Sequence, residues 1–413
     1  MRFFPAALAL MLAQPALAQR LAEIKVTGNA RLPADALIAA FGLRTGHTVT
    51  RAELDGAVQK LFQTGFFSSV NYRYDPEPVG SGPGYVLTLQ VSEEAAHKPV
   101  ELDFPDMDAE RLWQQLKSAD PFIDRQMPDN DRASEYYKRA IEAALRNSNH
   151  PEEIVTRLEA DMSTGRMVVI FRPAHLPRIA VMRFEGNAAI TDAALQAAMA
   201  KVAMGQDYSQ RDFRRMLELN VRPRYEELGR LTVAFPSVKM ASAGDAAVAV
   251  TAAIDEGPVW RLGKVALTGD ALPLADMLEA AGFAYGAPAN WRQFTAGLVK
   301  MEKVLRRDGY IKVRSNPVRS FQQATQVVDV NVEVRKGPQF LFGELHIEGL
   351  DELTEHRVAT LWALPAGAPM NQPYIDEFVR SAWPILKGKY RGFGSELHIH
   401  PGANVADVTL KFH

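Results

Sequence analysis

The chain has 413 residues and nearly balanced charge, with 47 Lys and Arg against 49 Asp and Glu. This length is enough for three to five domains of about 100 residues each. The balance argues against a dedicated nucleic-acid-binding protein, which usually carries a basic face or tail. The chain contains no cysteine, which excludes disulfides, zinc–thiolate sites and a thiol nucleophile.

The N-terminus resembles a secretory signal. Residues 1–18 place Arg2 before an apolar run that ends in an A-x-A cleavage pattern at 16–18. The run is short for a membrane span, and Gln14 and Pro15 interrupt it. We therefore expect cleavage after this segment and an exported, soluble protein; a signal that is retained as an anchor is the alternative.

The rest of the chain contains internal repeats. Four strand-like runs each end at a glycine, a residue that tolerates the positive φ of a sharp turn. These turn glycines are Gly28, Gly186, Gly269 and Gly349. Further along each repeat, a helix N-cap candidate follows a second glycine by four residues: Thr50, Ser209, Asn290 and Asn371. Four caps in one register indicate a repeat of about 80 residues. A capping box is expected at Thr50 and Asn290.

The second helix of each repeat is predicted to end at a further turn glycine. In LFQTGFFSSV the helix ends at Gly65 and two phenylalanines follow, and Gly309 and Gly392 take the same place in later repeats. An aromatic side chain at this point can fold back over the helix end and cover the sheet, so we interpret Phe66 as core packing. Two closing strands follow, and the repeat therefore has the order β-α-α-β-β.

The spacing of the repeats defines the predicted domains. The interval from Gly28 to Gly186 is about twice the later intervals, which indicates a hidden repeat without the glycine signal. Pro258 and Pro338 lie at joints with almost no linker, so we expect a semi-rigid string. The predicted order is a signal peptide at 1–18 and modules at 19–95, 96–175 (degenerate), 176–257, 258–337 and 338–413.

Several of these motifs together resemble a known family. The strand-Gly-Asn openings VTGN and FEGN, the LFQTGFFSSV segment and the EGP…RLGKVALTGD joint are similar to POTRA (polypeptide-transport-associated) domains. Such domains form the periplasmic arm of outer-membrane barrel-assembly factors of the BamA/TamA type. The resemblance implies an α+β fold, a tandem array of about five β-α-α-β-β modules. Relatives usually continue into a membrane β-barrel, but no run of alternating segments follows, so we expect no membrane barrel in this chain.

The resemblance also implies a function. It places the protein in the periplasm or at the periphery of the outer membrane, as a non-enzymatic binding protein in outer-membrane protein assembly or transport. The strand after the second helix would be an exposed edge, on which an extended client segment can pair by β-augmentation. The candidate client-binding residues are Val70, Tyr72, Tyr74, Val313, Leu397 and Ile399. The expected partners are outer-membrane protein clients or a separately encoded β-barrel, and periplasmic lipoproteins; no cofactor, nucleic acid or small-molecule substrate is expected.

Other functions remain open at this point. Prolines and charges on the same strands also protect edges from pairing, so a scaffold that docks folded partners without client contact is the main alternative. We find no catalytic motif and expect no enzyme. His398 and His400 share one strand face, near His346 and His413, but the spacing is weak evidence for a metal and we predict none. The arginines of residues 210–215 are a minor option for contact with anionic lipid.

Overall fold

The computed structural model describes residues 19–76, 84–105, 107–161, 164–269, 271–387, 390–400 and 402–413. The predicted signal at 1–18 lies outside these ranges. The described residues form five small sheets, each with its own helices. We call each sheet with its helices a module and number the modules in chain order. The predicted α+β class with repeated β-α-α-β-β units is confirmed, while the residue boundaries of the repeats stay a prediction.

The chain divides into two compact units. The first unit holds 1–180, 205–213 and 242–248, and the second holds 181–204, 214–241 and 249–413. Modules 1 and 2 therefore belong to the first unit and modules 4 and 5 to the second, while module 3 contributes residues to both. Among the helices that the structure describes, none has the length and apolar character needed to cross a membrane.

Module 1 begins the described chain. It comprises β1 (Gln19–Thr27), α1 (Ala34–Phe41), β2 (Thr48–Val49), α2 (Arg51–Phe62), β3 (Phe67–Pro76) and β4 (Tyr85–Glu93). The sheet order is β2-β1-β4-β3, with β1 parallel and β3 antiparallel to β4. Helix α2 starts with the predicted capping box: Thr50 accepts from the Glu53 N–H, and the Glu53 carboxylate accepts from the Thr50 N–H. The box satisfies backbone donors that the first helical turn leaves free.

Module 2 is the hidden repeat that the spacing predicted. It comprises β5 (His97–Leu102), α3 (Ala109–Ala119), β6 (Gln126–Pro128), α4 (Asp131–Asn147), β7 (Ile154–Ala160) and β8 (Met167–Pro173), in the sheet order β6-β5-β8-β7. Strand β8 is buried on both faces, since Val168 and Ile170 are buried as well as Val169 and Phe171. A continuous apolar run of this kind is typical of a strand covered on both sides.

Module 3 has a divided second helix. It comprises β9 (Arg178–Glu185), α5 (Asp192–Ala203), α6 (Gln210–Asn220), α7 (Arg222–Glu227), β10 (Val238–Ser242) and β11 (Ala247–Ala253), in the sheet order β10-β11-β9. Pro223 lies in the first turn of α7. Because proline has no N–H to continue the hydrogen-bond pattern of α6, it is tolerated at a helix start and ends the preceding helix.

Modules 4 and 5 are close copies of each other. Module 4 comprises β12 (Arg261–Thr268), α8 (Leu274–Ala281), α9 (Trp291–Arg307), β13 (Arg314–Gln322) and β14 (Val327–Arg335). Module 5 comprises β15 (Leu341–Glu348), α10 (Glu352–Ala359), α11 (Gln372–Leu386), β16 (Phe393–His400) and β17 (Val405–Phe412). Their sheet orders are β12-β14-β13 and β15-β17-β16.

The two copies share an irregularity in the first strand. The register shifts after Leu262 in β12 and after Phe342 in β15. Gly263 and Gly343 follow at these places, and a Cβ on either would overlap an aspartate carboxylate of the central strand. That carboxylate, from Asp329 or Asp407, accepts the N–H of the residue after the glycine. The glycine of RLGKV and its counterpart in FLFGEL therefore mark a bulge that an aspartate side chain closes.

The hydrophobic cores are distributed unevenly. One continuous cluster runs through modules 1 and 2, from Leu21 to Phe171. Modules 4 and 5 have separate clusters, around Met301 and Phe378 respectively. Each cluster combines the inner face of a sheet with an apolar helix stripe, the arrangement expected for amphipathic helices on a sheet.

Candidate functional site

The strand after the second helix lies at an edge of its sheet in every module. These strands are β3, β7, β10, β13 and β16, and we call them the flank strands. Their edge position, which the family resemblance implied, is confirmed. An edge strand carries backbone N–H and C=O groups that its own sheet leaves unpaired. The described sheets therefore have five flank strands at an edge, one in each module.

The flank strand of module 1 carries a stack of tyrosines. Val70 points into the core and is only 8% exposed, whereas Tyr74 is 38% exposed. The Tyr72 hydroxyl donates to Asp55 Oδ1 at 2.8 Å. Burial, followed by this hydrogen bond, raises the pKa of Tyr72. The ring of Tyr74 stacks on Tyr72 with centroids 6.2 Å apart and meets Tyr85 edge-on at 5.9 Å. The open edge of β3 is thus lined by aromatic rings on its helix-covered face.

The flank strand of module 4 is more obstructed. Val313 precedes β13 and is 3% exposed, so its side chain belongs to the core. Pro317 within the strand has no N–H to offer an added strand. Arg319 is engaged within the second unit: its guanidinium lies 3.6 Å from the ring centroid of Trp291, and its Nη1 lies 2.9 Å from Glu226 Oε1.

The flank strand of module 5 has one apolar and one polar face. Leu397 and Ile399 are half-buried and pack against the module core. On the other face the rings of His398 and His400 lie 5.1 Å apart, and His400 Nε2 is 2.6 Å from Asp407 Oδ2. This hydrogen bond is the main cause of a lowered pKa for Asp407.

The histidines of module 5 do not converge. His346 lies 3.9 Å from Glu344, and the ring of His413 lies against Gly392. Within the described ranges no group of three histidine or carboxylate side chains is close enough to hold a metal ion. The pairing of His400 with Asp407 is therefore an ion pair or hydrogen bond across two strands.

The strand-ending glycines meet a steric as well as a conformational requirement. Gly28, Gly186, Gly269 and Gly349 all have positive φ. A Cβ on each would overlap the carbonyl oxygen of a residue near the end of the same module, namely Val91, Ile254, Val334 and Phe412 respectively. Each first strand therefore ends pressed against the last strand, a closeness that only glycine allows.

The glycines after the second helix serve a different purpose. Gly65 and Gly309 have positive φ, and the space beside each is filled by the next module. A Cβ on Gly65 would overlap the backbone nitrogen of Ala133, and one on Gly309 would lie 2.5 Å from the Phe340 oxygen. Gly392 differs, since its φ is not positive. The sequence pattern indicates a turn at these positions, and it does not reveal that Gly65 and Gly309 are also points at which the next module docks.

Phe66 of the LFQTGFFSSV segment packs beyond its own module. Its ring lies 5.3 Å from that of Phe122 and 5.7 Å from that of Tyr136, both in module 2. The expected core packing is confirmed, and the core is the one that modules 1 and 2 share. Phe67, the next residue, is fully buried. The Phe67 ring also meets that of Phe122, at 6.3 Å, so both phenylalanines contact module 2. The two consecutive phenylalanines of LFQTGFFSSV are the feature of the sequence that indicates this contact.

A charged network lies between the sheet of module 2 and the start of α6 in the first unit. Arg172, itself 7% exposed, has Nη1 3.7 Å from Asp212 Oδ2. Arg211 Nε lies 3.3 Å from Glu101 Oε2. Burial raises the pKa of the nearby Asp103. Arg211 therefore has protein partners, which weakens the lipid interpretation of residues 210–215.

Comparison with known proteins gives a partial match. Residues 19–94 match the family model POTRA, described as "Surface antigen variable number repeat". POTRA domains 3–5 of BamA from Haemophilus influenzae are similar at 17% identity and a TM-score of 0.42, over 58% of this chain and 96% of that one. The N-terminal domain of Omp85 from Thermosynechococcus elongatus is similar at 14% identity and a TM-score of 0.20, over 76% and 97% respectively. CdiB from Escherichia coli is similar at 19% identity and a TM-score of 0.19, over 49% and 34%. No curated protein matches the chain.

The matched stretch contains all of module 1, from the start of β1 to the end of β4. The later modules repeat its order of a strand, two helical segments and two closing strands. Residues 19–94 match the POTRA family model, and the later modules are repeats of the same order of elements.

Proposed function

We propose that this chain is a non-enzymatic, periplasmic protein-binding protein that acts in the assembly or transport of outer-membrane proteins. Extended client segments bind by adding as strands to the flank strands. The observation that carries the proposal is the edge position of the flank strand in every described sheet. The POTRA match of residues 19–94 and the predicted export signal at 1–18 support the location and the kind of partner.

The two faces of β3 indicate which clients fit. Tyr72 and Tyr74 lie on the helix-covered face, while Asn71 and Arg73 are exposed on the other. A strand added to this edge would continue the sheet, and its side chains would alternate between the same two faces. An apolar side chain would meet the tyrosines and its polar neighbour would face water. Alternation of this kind is the pattern of membrane-spanning β-strands, which makes unfolded outer-membrane proteins suitable clients.

The predicted contact residues divide into two groups under this proposal. Tyr72 and Tyr74 offer side-chain contacts to a client, and Leu397 and Ile399 offer partly buried apolar surface. The side chains of Val70 and Val313 are inside their modules. Val70 would contribute through its backbone alone, while Val313 precedes its flank strand.

Site-specific photocrosslinking tests the proposal. A photoreactive residue at exposed Asn71 should capture extended peptides of alternating apolar and polar residues, because it lies beside the added strand. The same residue at exposed Lys60, in the last turn of α2, should not. Capture of peptides only at Lys60, or of folded partners alone, would favour the scaffold function instead.

A further inference from the structure

The edge of module 3 continues upstream of its flank strand. Before β10, Ala234 forms a bridge with Asp255, and the two residues exchange backbone hydrogen bonds of 2.8 and 2.9 Å. In antiparallel pairing, the residues on either side of such a pair direct their backbone groups away from the partner strand. The carbonyls of Val233 and Phe235 therefore face the open edge, where an added strand would need them.

Both of these carbonyls already have donors. Arg222 Nη1 donates to the Val233 oxygen at 2.7 Å, and Arg214 Nη1 donates to the Phe235 oxygen at 2.8 Å. We call Arg214 and Arg222 the arginine clamp. The Arg222 guanidinium also lies 5.7 Å from the ring centroid of Phe235, and its Nη2 lies 2.9 Å from Glu218 Oε1. Hydrogen bonds from a charged donor are stronger than neutral ones, so the clamp competes well against an incoming N–H.

The divided helix of module 3 positions this clamp. Arg214, Glu218 and Arg222 are spaced four residues apart, so they follow one stripe of a helix. Arg222 is the first residue of α7, immediately before Pro223. Glu218 in α6 therefore holds the guanidinium of Arg222 across the break between the two helices.

The described part of module 1, which omits 77–83, has no equivalent feature. Across the described residues, no side chain donates a hydrogen bond to a carbonyl of β3 from 69 to 74. The nearest case is Arg132, whose Nη2 lies 3.5 Å from the Phe67 oxygen at the start of the strand. Along the rest of this edge, no described side chain competes with an added strand for the carbonyls.

We propose that the arginine clamp closes the flank of module 3 to strand addition, so that extended segments bind at β3 and are refused at module 3. This rests on the proposed function, because it concerns which modules perform it. The occupant of β3 is an extended segment of alternating apolar and polar residues, about as long as this ten-residue strand. Modules 1 and 3 have the same fold, but the clamp gives them different affinities for an extended segment.

The test uses the mature chain with a photoreactive residue at Asn71 in β3 or at Lys239 in β10, both exposed. The probe is a synthetic ten-residue peptide of alternating apolar and polar residues with blocked ends. Crosslinking at Asn71 should exceed that at Lys239 by about tenfold or more, since the clamp occupies two acceptors of the module 3 edge and no described side chain occupies those of β3 from 69 to 74. The double variant Arg214→Gln, Arg222→Gln should raise crosslinking at Lys239 by a similar factor. Arg215→Gln, an exposed neighbour on α6, is the matched control and should change nothing.

Self-association provides a readout that needs no client. An opened edge can pair with the same edge of a second chain, so the double variant should form dimers or larger species in analytical ultracentrifugation, unlike the Arg215→Gln control. Equal crosslinking at both positions in the unmodified chain would overturn the proposal. A folded double variant that neither crosslinks at Lys239 nor associates would overturn it too.

The outcomes separate this proposal from the proposed function. Absence of crosslinking at Asn71, combined with association of the double variant, would refute client binding at β3 and leave the clamp standing. If the double variant does not fold, Arg214→Gln alone frees one carbonyl and preserves the Arg222–Glu218 pair. It should give a smaller increase of the same kind, and no increase would refute the clamp.

Discussion

The joint between modules 1 and 2 and the joint between modules 4 and 5 begin with the same residue type and continue differently. Side chains fill the first: Phe66 packs among aromatic rings of module 2, and Asn130 Nδ2 donates to the Gly65 oxygen at 2.8 Å. The second has main-chain as well as side-chain contacts. The Phe340 N–H donates to the Gly309 oxygen at 2.8 Å, and among the described residues Gln339 donates a side-chain hydrogen bond to the Asp308 oxygen while Ile311 packs against the core of module 5.

The difference has a physical consequence. Modules 1 and 2 share one continuous core, whereas modules 4 and 5 have separate ones. A joint that is filled by side chains couples the stability of its neighbours, since opening it exposes buried apolar surface. We therefore expect modules 1 and 2 to unfold as one cooperative block, and modules 4 and 5 to open more independently.

The largest expected effect is at the first joint glycine. Gly65→Ala adds a Cβ that overlaps backbone of α4 at a φ of +82°. Strain and forced separation should together lower the free energy of unfolding of the first unit by about 3 kcal/mol or more, measured by urea denaturation. Gly46→Ala is the control, because its φ is +85° and its surroundings are empty. Equal losses in both variants would show that the joint does not depend on close approach.

The next effect compares the aromatic side chains beyond the two glycines. Phe66→Ala should lower the free energy of unfolding by about 3–5 kcal/mol, as for other buried phenylalanines. Tyr310→Ala should cost less, about 1–2 kcal/mol, because Tyr310 is half-buried and Lys336 Nζ covers its ring at 4.7 Å. Urea denaturation measures both. Similar costs would contradict the distinction between the joints.

A smaller effect concerns the polar side chains of the joints. Asn130 caps α4 by accepting from the Ala133 N–H at 2.9 Å and also bonds Gly65. Asn130→Ala should therefore lower the free energy of unfolding by about 1–2 kcal/mol. Gln339→Ala should cost below about 0.5 kcal/mol, since this side chain is exposed. Thermal unfolding of both variants and the parent measures these losses. A larger loss for Gln339→Ala than for Asn130→Ala would contradict the roles given to the two side chains.

The smallest effects are opposite pH dependences in the two units. The raised pKa of Asp103 means that the folded state retains its proton longer, so its contribution to stability is lost as pH rises from the ordinary 3.8 through the raised pKa. The lowered pKa of Asp407 has the reverse sign, and its contribution is lost as pH falls from 3.8 through the lowered pKa.

The two asparagine variants measure these contributions. As pH rises through its window, Asp103→Asn should become more stable relative to the parent. Asp407→Asn should become less stable relative to the parent as pH rises through its own window. Urea midpoints collected across the acidic range would give the two trends, and slopes of the same sign would contradict the assignment.

Local chemistry made part of the fold predictable. The predicted caps all accept a backbone N–H from the residue three positions on, at Thr50, Ser209, Asn290 and Asn371. Such contacts depend on a few adjacent residues, so the sequence contains them entirely. The predicted capping box at Asn290 is wrong, because this cap acts in one direction only. The edge position of the flank strands followed from the topology that the resemblance implied.

The candidate site was less predictable because it depends on distant contacts. Alternation placed Val70, Tyr72 and Tyr74 on one face, but it could not tell that helix α2 covers that face. A bulge after Phe67 also resets the alternation. The arginine clamp and the docking of Gly65 join residues that are far apart in sequence, and no local pattern indicates such pairs.

The joints before and after module 4 share one main-chain hydrogen bond. At the joint between modules 3 and 4, the Gly229 oxygen accepts from the Trp260 N–H at 2.9 Å, as the Gly309 oxygen does from Phe340. Excision of residues 258–337 would connect Gly257 to Pro338 and present Phe340 to Gly229. This hydrogen bond joins two peptide groups and does not depend on the identity of the side chains. An array with one repeat fewer can therefore form the same bond at its new joint.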